Sequence, residues 1–334
     1  MNSTASPPFV IGPDDLSATE HAAVLERALV ARADVASLEV TGPGVVQCLQ
    51  GLLTSDLETP GEGSLTYGAT LTAKGMILCD MWVERTSGRA MLSVPSTGKD
   101  ALVGVLSQFL PPRLAKFTDR SADIAVLRVA GPRAHEVAAA AGVAVPEPGC
   151  VAAAIAGAAA VRVARPSETA PFALQITVQR SDVERVSTLL AEAGALRGSA
   201  HALELARILV GWPRLGMETD AKTLPQEVRL DEIGGVSYTK GCYTGQETVA
   251  RVHFRGHPNR YLVGLLWHAT PDPTDPSIQQ NDHARGRVTS MVWTPQMDRW
   301  IGLAVVRREI EEDELVDAAG AAAEIVPLPF DLLT

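Results

Sequence analysis

Two stretches of the chain repeat one local design. "ASLEVTGPGVVQCLQGLL" begins at Ala36 and "AVLRVAGPRAHEVAAAAG" at Ala125. Each opens with a strand-like alternation, halts at Gly-Pro and continues with apolar residues at helical spacing, proline being tolerated in a helix's first turn. A β–turn–α unit used twice predicts two α/β subdomains. At 334 residues the chain has room for them and more, since typical domains hold about 100–200 residues.

The remaining segments fill in the plan. "LTYGATLTAKGMILCDMWVER" alternates on both sides of Lys74-Gly75 and predicts a hairpin. After the second unit come an Ala-rich run, the strand-like "PFALQITVQR" and the helix-like "SDVERVSTLLAEAG", with a Ser N-cap and a Gly stop. Together these predict a ferredoxin-like layer over Ile124 to Gly198. Beyond His257, "NRYLVGLLWHA", "HARGRVTSMVW" and "RWIGLAVVRRE" are short β-rich runs around a Pro/Asp-rich loop from Pro271 to Asp282, as in a small antiparallel barrel. The division that follows is 1–120, 121–200, a return segment 201–257 and a terminal barrel 258–334.

Composition narrows the function. A formal charge of −10 argues against general nucleic-acid binding, which needs clustered Lys and Arg to displace counterions. The first residues, "MNSTASPPFVIGPDD", show neither the basic nor the apolar region of a secretory signal. The longest apolar tract, Val151 to Val161, is too short to cross a bilayer. Cys48, Cys79, Cys150 and Cys242 are widely spaced, with no CxxC pair and no Cys/His cadence for a metal. A reducing cytoplasm is the compartment expected, without a disulfide framework.

Familiar catalytic signatures are absent. Gly61-Glu62-Gly63 lacks the third glycine of a dinucleotide loop, and no GxxxxGK[ST] occurs. His135-Glu136 starts like a zincin motif, but position 139 is alanine. No GxSxG elbow appears.

What stands out is "KGCYTGQETVARVHFRGH", Lys240 to His257. Gly241 and Gly245 flank Cys242 as in a tight turn that presents a thiol. Lys240 and the downstream arginines would stabilise a thiolate if near it; a buried structural cysteine is the alternative. If Val249 to His257 is extended, Arg251, His253, Arg255 and His257 share one face. That cationic face suits an anionic small molecule; taken alone, it reads first as a solvated edge strand kept soluble by charge. Upstream, Trp212-Pro213 and Leu224-Pro225 break periodicity, and the resulting loop offers Arg207, Gln226, Glu227 and Tyr238 as pocket-lining candidates.

The octamer Lys240 to Glu247, with "RILVGWPRLG" and "LPQE" before it and "VARVHFRG" after it, resembles the YgfZ family of folate-binding proteins. These are relatives of the glycine-cleavage T-protein and of a mitochondrial iron–sulfur assembly factor. The resemblance extends over most of the chain. It implies an α+β, T-protein-like ring of three subdomains with a ferredoxin-like subdomain and a small C-terminal antiparallel barrel. It also implies tetrahydrofolate in the central channel, with the motif cysteine near the opening. The role implied is maintenance of certain Fe–S enzymes, including one in tRNA thiolation. Laying Arg207 and Gly211 over the T-protein's "RLEAG"-like stretch puts Leu209 where that enzyme has a pterin-binding glutamate, and Asp80 falls near one of its carboxylates.

The expected positions are therefore Cys242, Lys240 and Asp80 for chemistry. For the cofactor they are Arg207, Gln226, Glu227, Tyr238, Tyr243, Gln246, Glu247, Arg251 and Arg255. Partners expected are a reduced folate and Fe–S client or assembly proteins, with no membrane and no direct nucleic acid. A single cysteine cannot hold a cluster, which normally needs about four ligands. A folate-dependent aminomethyl- or methyltransferase, with Asp80 or Glu227 as acid/base, is the second reading. A non-catalytic scaffold for folate or another heterocycle is the third.

Overall fold

The structure, a computed structural model, describes residues 7–310 and 314–331. The first six residues of the amino-terminal stretch read above lie outside them. The chain opens with β1 (Phe9–Ile11), α1 (Ala18–Glu26) and β2 (Leu29–Arg32). A capping box starts α1: the Ser17 hydroxyl accepts from the Glu20 N–H, and the Glu20 carboxylate accepts from the Ser17 N–H.

The first layer comprises β3 (Val35–Thr41), α2 (Val45–Gln50), β4 (Leu65–Leu71), β5 (Ile77–Thr86), β6 (Arg89–Pro95), α3 (Lys99–Phe109) and β7 (Lys116–Asp119). Its strands form an antiparallel sheet in the order β4-β5-β6-β3-β7, with the expected hairpin turning at Lys74-Gly75. Strand β5 is buried on both faces. Cys79, Met81 and Val83 pack with Leu49 of α2 and with Leu102 and Leu106 of α3. By the period of two, Asp80, Trp82 and Glu84 point the other way.

The second layer holds β8 (Ile124–Ala130), α4 (Ala134–Ala140), β9 (Val151–Ala156), β10 (Ala159–Ala164), β11 (Leu174–Gln179), α5 (Val183–Glu192) and β12 (Leu196–Arg197). The sheet runs β12-β2-β8-β11-β10-β9, so β2 is inserted from upstream and the Ala-rich run is the edge hairpin β9–β10. Leu127, Val129, Val161, Val163, Leu174 and Ile176 pack against α4 and α5 through Val137, Ala138, Val186 and Leu190. Their alternates Arg128, Arg162, Gln175 and Thr177 face the opposite side. In both β–turn–α units the glycine before proline has a positive φ, 138° at Gly42 and 97° at Gly131. A Cβ on Gly131 would stand 2.6 Å from the carbonyls of Ala23 and Arg27, so the repeated Gly-Pro marks a point where another backbone crosses the turn.

The layers meet through their polar rows. Fully buried Glu84 accepts from Arg162 Nε (2.8 Å), Gln175 Nε2 (2.9 Å) and Thr177 Oγ1 (2.5 Å). Helix α6 (Ala200–Val210), capped by Ser199 and ended by Gly211 at φ 67°, begins the return segment, which carries a 3-10 turn (Pro225–Val228) and α7 (Gln246–Arg255).

The remainder is β13 (Arg260–Trp267), β14 (Ser277–Gln280), β15 (His283–Thr294), β16 (Arg299–Arg307), β17 (Leu315–Ala318) and β18 (Ala321–Val326). Paired β15-β14-β17-β18-β13-β16 and closed by β16 on β15, these six antiparallel strands form the expected barrel. Strand β14 lies within the stretch expected to be loop, and β1 joins the barrel by pairing parallel to β15. Among the described residues no helix is long and apolar enough to cross a membrane.

Removing the Glu84 carboxylate strands a guanidinium, an amide and a hydroxyl between two sheets. Glu84→Ala is expected to cost about 3–5 kcal/mol in denaturant unfolding. Arg133→Ala, which breaks an exposed pair with Glu136, is expected to cost under about 0.5 kcal/mol.

Candidate functional site

Where the three parts of the chain converge, the interior is aromatic. Tyr67 of β4 lies directly across the hairpin from Trp82 of β5. Their ring centroids are 5.1 Å apart. Trp212, just past the end of α6, stacks on Trp82 at 5.5 Å and 15° and approaches Tyr67 to 4.6 Å. Phe172, ahead of β11, meets Trp82 edge-on at 5.0 Å. The chain has only four tyrosines, five tryptophans and six phenylalanines, so this aromatic cluster concentrates scarce residues in one place.

Two ionisable groups are buried beside it. Asp80 is 8% exposed and accepts from the Tyr67 hydroxyl at 2.9 Å. Burial raises its carboxyl above the ordinary range, opposed by the Tyr67 hydrogen bond and the charge of Arg128. Burial likewise lowers the Arg128 guanidinium to about 10, against the pull of Asp80 and Glu204. Arg128 lies over the Phe172 ring at 4.6 Å. Among the described residues, Asp80 Oδ1 and Arg128 Nε are buried without a hydrogen-bond partner. Atoms so placed cost stability unless a ligand or water meets them.

Cavities surround these rings. One of about 250 Å³ opens beside Asp80, Arg128, Glu204 and Arg207. Another of about 270 Å³ opens beside Ser55, Asp56, Tyr67 and Glu168, and Trp82 and Trp212 line both. A third, about 640 Å³, lies against Pro171, Phe172 and Leu209.

Of the positions expected from sequence, Asp80 and Arg207 reach these cavities. Arg207 also anchors the wall: it donates to Glu204 (2.8 Å), the Trp212 carbonyl (2.9 Å), Glu218 (3.2 Å) and Ser290 Oγ (2.8 Å). It thus fixes Trp212 to the barrel strand β15. Glu227 accepts from both Nε and Nη2 of Arg260 (3.0 and 2.9 Å) and caps its own 3-10 turn. Gln226 donates to the Val249 carbonyl (2.8 Å) and the Tyr238 hydroxyl (3.1 Å), and that hydroxyl donates to Asp231 (3.1 Å). These residues bind the return segment together rather than line the cavities.

The motif segment departs from an extended strand. Gln246–Arg255 is α7. Its acidic first turn and basic last turn suit the helix dipole, and Val249 is buried. Gly75 and Gly245, both at φ 83°, let the hairpin turn and the start of α7 touch: a Cβ on Gly245 would lie 2.6 Å from the Thr72 carbonyl. His253 therefore leaves the arginine face and stacks on Tyr238 at 3.6 Å and 15°. Arg251 and Arg255 are exposed and line none of the three cavities, and neither Gln246 nor Glu247 lines one.

Lys240 also differs in role. Its ammonium donates to the carbonyls of Gln50 (2.7 Å), Leu53 (2.8 Å) and Ser55 (2.7 Å), which occupies all three donors. Burial lowers it to about 8, partly offset by Asp56, so it remains charged at neutral pH. It ties the motif to the end of α2 and is not free to serve a thiolate. Tyr243 is buried, its hydroxyl pushed up to about 12 by burial. Cys242 alone of the four cysteines is exposed, ahead of α7 and outside the cavity walls.

Sequence reasoning missed Tyr67, Trp82, Phe172, Trp212 and Arg128. The hairpin register, which sets Tyr67 opposite Trp82, is a usable signal for the first two.

The family profile described as the GCVT N-terminal domain matches residues 13–236. The chain belongs to this family. Curated relatives extend the match along the chain: "tRNA-modifying protein YgfZ" of Serratia proteamaculans is 28% identical over 96% of this chain and 96% of its own length. The protein of the same name from Klebsiella pneumoniae is 28% identical over 90% and 91%. The resemblance carried by Lys240 to Glu247 is borne out. Among solved structures, the glycine cleavage system aminomethyltransferase T of Bartonella henselae superposes with a TM-score of 0.81 at 19% identity, covering 93% of this chain and 88% of that one. That likeness establishes the T-protein-like fold of this GCVT-domain protein.

A thiol reagent such as Ellman's is expected to modify one cysteine rapidly in the folded protein, and Cys242→Ser to abolish that phase without loss of stability. Lys240→Met, which strands three carbonyls, is expected to lower stability by about 2–4 kcal/mol.

Proposed function

We propose that this protein binds a reduced folate against the aromatic cluster and serves tRNA modification by supporting Fe–S enzymes. The observation that carries the reading is the conjunction at the centre of the fold. Flat aromatic walls meet a buried carboxylate and a buried guanidinium, each with one polar atom left unpartnered. A pterin is a flat heterocycle edged with donors and acceptors, so it can lie along Trp82 or Trp212 while its edge satisfies Asp80 Oδ1 and Arg128 Nε. Adjoining cavities leave room for the elongated remainder of a folate. The bound cofactor would supply a one-carbon unit or reducing equivalents.

The tRNA-modification assignment is carried over from the relatives named YgfZ, and the Fe–S role from the motif around Cys242. As the only exposed thiol, Cys242 is the group available to handle a sulfur or iron species. Because a cluster needs about four ligands, the rest must come from a partner. The aminomethyltransferase reading is weaker, since the motif resemblance puts Leu209 where the T-protein is expected to have a pterin-binding glutamate. The aminomethyltransferase T likeness carries the fold alone.

Calorimetric titration with tetrahydrofolate under anaerobic conditions tests the proposal. Saturable binding is expected, weakened at least tenfold by Asp80→Asn and by Arg128→Met and unaltered by Cys242→Ser. Because an ionised Asp80 is disfavoured by burial, Asp80→Asn should not lower stability. Absence of tetrahydrofolate binding, or tighter binding of a reduced flavin, would overturn the assignment. Cys242→Ser should lower Fe–S-dependent tRNA thiolation in cells; full activity of that variant would remove the cysteine from the function.

A further inference from the structure

Helix α7 carries a solvent face that the fold does not use. At about 100° per residue, Glu247, Arg251, Phe254 and Arg255 fall on one side, opposite buried Val249. Phe254 is 67% exposed, the highest value among the large exposed apolar side chains of the described residues. Its ring meets His253 edge-on at 4.7 Å and lies 6.0 Å from Tyr238. Among the described residues neither Arg251 nor Arg255 forms an ion pair, as Arg27, Arg32, Arg113 and Arg180 also do not, so both guanidinium groups are available to a partner. Glu247, one helical turn before Arg251, does not pair with it.

We propose that this face is a docking surface for an acidic protein segment with an apolar pocket for Phe254. Aromatic and arginine side chains are the residues that dominate protein interfaces, typically as a desolvated aromatic anchor flanked by oriented charge. The unpaired arginines set the partner's charge. A nucleic acid is a poorer occupant. Binding to phosphates gains through many contacts, about 6–10 in a typical case, whereas this face offers two arginines on a chain of formal charge −10. Docking here would place the partner beside exposed Cys242, which lies just ahead of the helix. The proposal does not depend on the folate reading, since no residue of this face lines a cavity.

The test is photo-crosslinking in cells from a benzoylphenylalanine placed at position 254, with the same group at exposed position 109 as the control. The adduct is identified by mass spectrometry, and the affinity of the purified pair is then measured. The expected result is an adduct specific to position 254, whose crosslinked segment is rich in Asp and Glu. Affinity should fall at least tenfold in Arg251→Glu/Arg255→Glu and in Phe254→Ala, and also on going from low to physiological salt and above. Thermal melts matching the wild type would confirm that these surface variants are folded, and tetrahydrofolate binding should survive in all of them. No adduct above the control, an adduct to RNA or to a second copy of the chain, or an affinity indifferent to the arginines and to salt would each overturn the proposal.

Discussion

The Glu84 carboxylate, closed off from solvent, is held by Arg162, Gln175 and Thr177, and this clamp allows two sheets to face each other through polar rows. Both sheets send their apolar alternates to helices of their own layer, as Cys79, Met81 and Val83 do on β5 and Leu127 and Val129 on β8. The other row of each strand is then free to build a shared interior. A carboxylate so deeply buried is tolerable only because its oxygens are fully engaged. The same geometry that aims Glu84 at the second sheet aims Asp80 and Trp82, four and two residues earlier, at the centre.

From that constraint the site follows. Trp82 meets Tyr67 across the hairpin, Arg128 arrives from the inward row of β8, and Arg207 fixes Trp212 to the barrel by way of Ser290 and Glu218. The buried carboxylate and guanidinium each keep one atom unpartnered, unlike Glu84, whose neighbours satisfy it. Two buried acids thus sit on one strand, one with its carboxylate satisfied by neighbouring side chains and one with an oxygen left unpartnered.

Much of this is legible in the sequence. The hairpin at Lys74-Gly75 and both Gly-Pro units have clear turn residues, and the main barrel strands are short β-rich runs between a Pro/Asp-rich loop and polar turns. Helix α7 is not legible, because the Arg251/Arg255 pair, four residues apart, satisfies a helical spacing as well as an alternating one, and only packing against Gln226 and Tyr238 decides between them. The aromatic cluster is hidden because Tyr67, Trp82, Phe172 and Trp212 come from four separated segments, each ordinary alone. Adjacency in sequence pairs Lys240 with Cys242. The fold instead directs that lysine to three carbonyls at and just beyond the end of α2, a destination that no spacing rule contains.

The most direct measurement is a crystal structure of the protein grown anaerobically with tetrahydrofolate. The heterocycle is expected against Trp82 or Trp212, with its edge within hydrogen-bond distance of Asp80 Oδ1 and Arg128 Nε. Folate density away from the aromatic cluster, or cavities filled only by ordered water at saturating ligand, would contradict that placement and with it the assignment of the site.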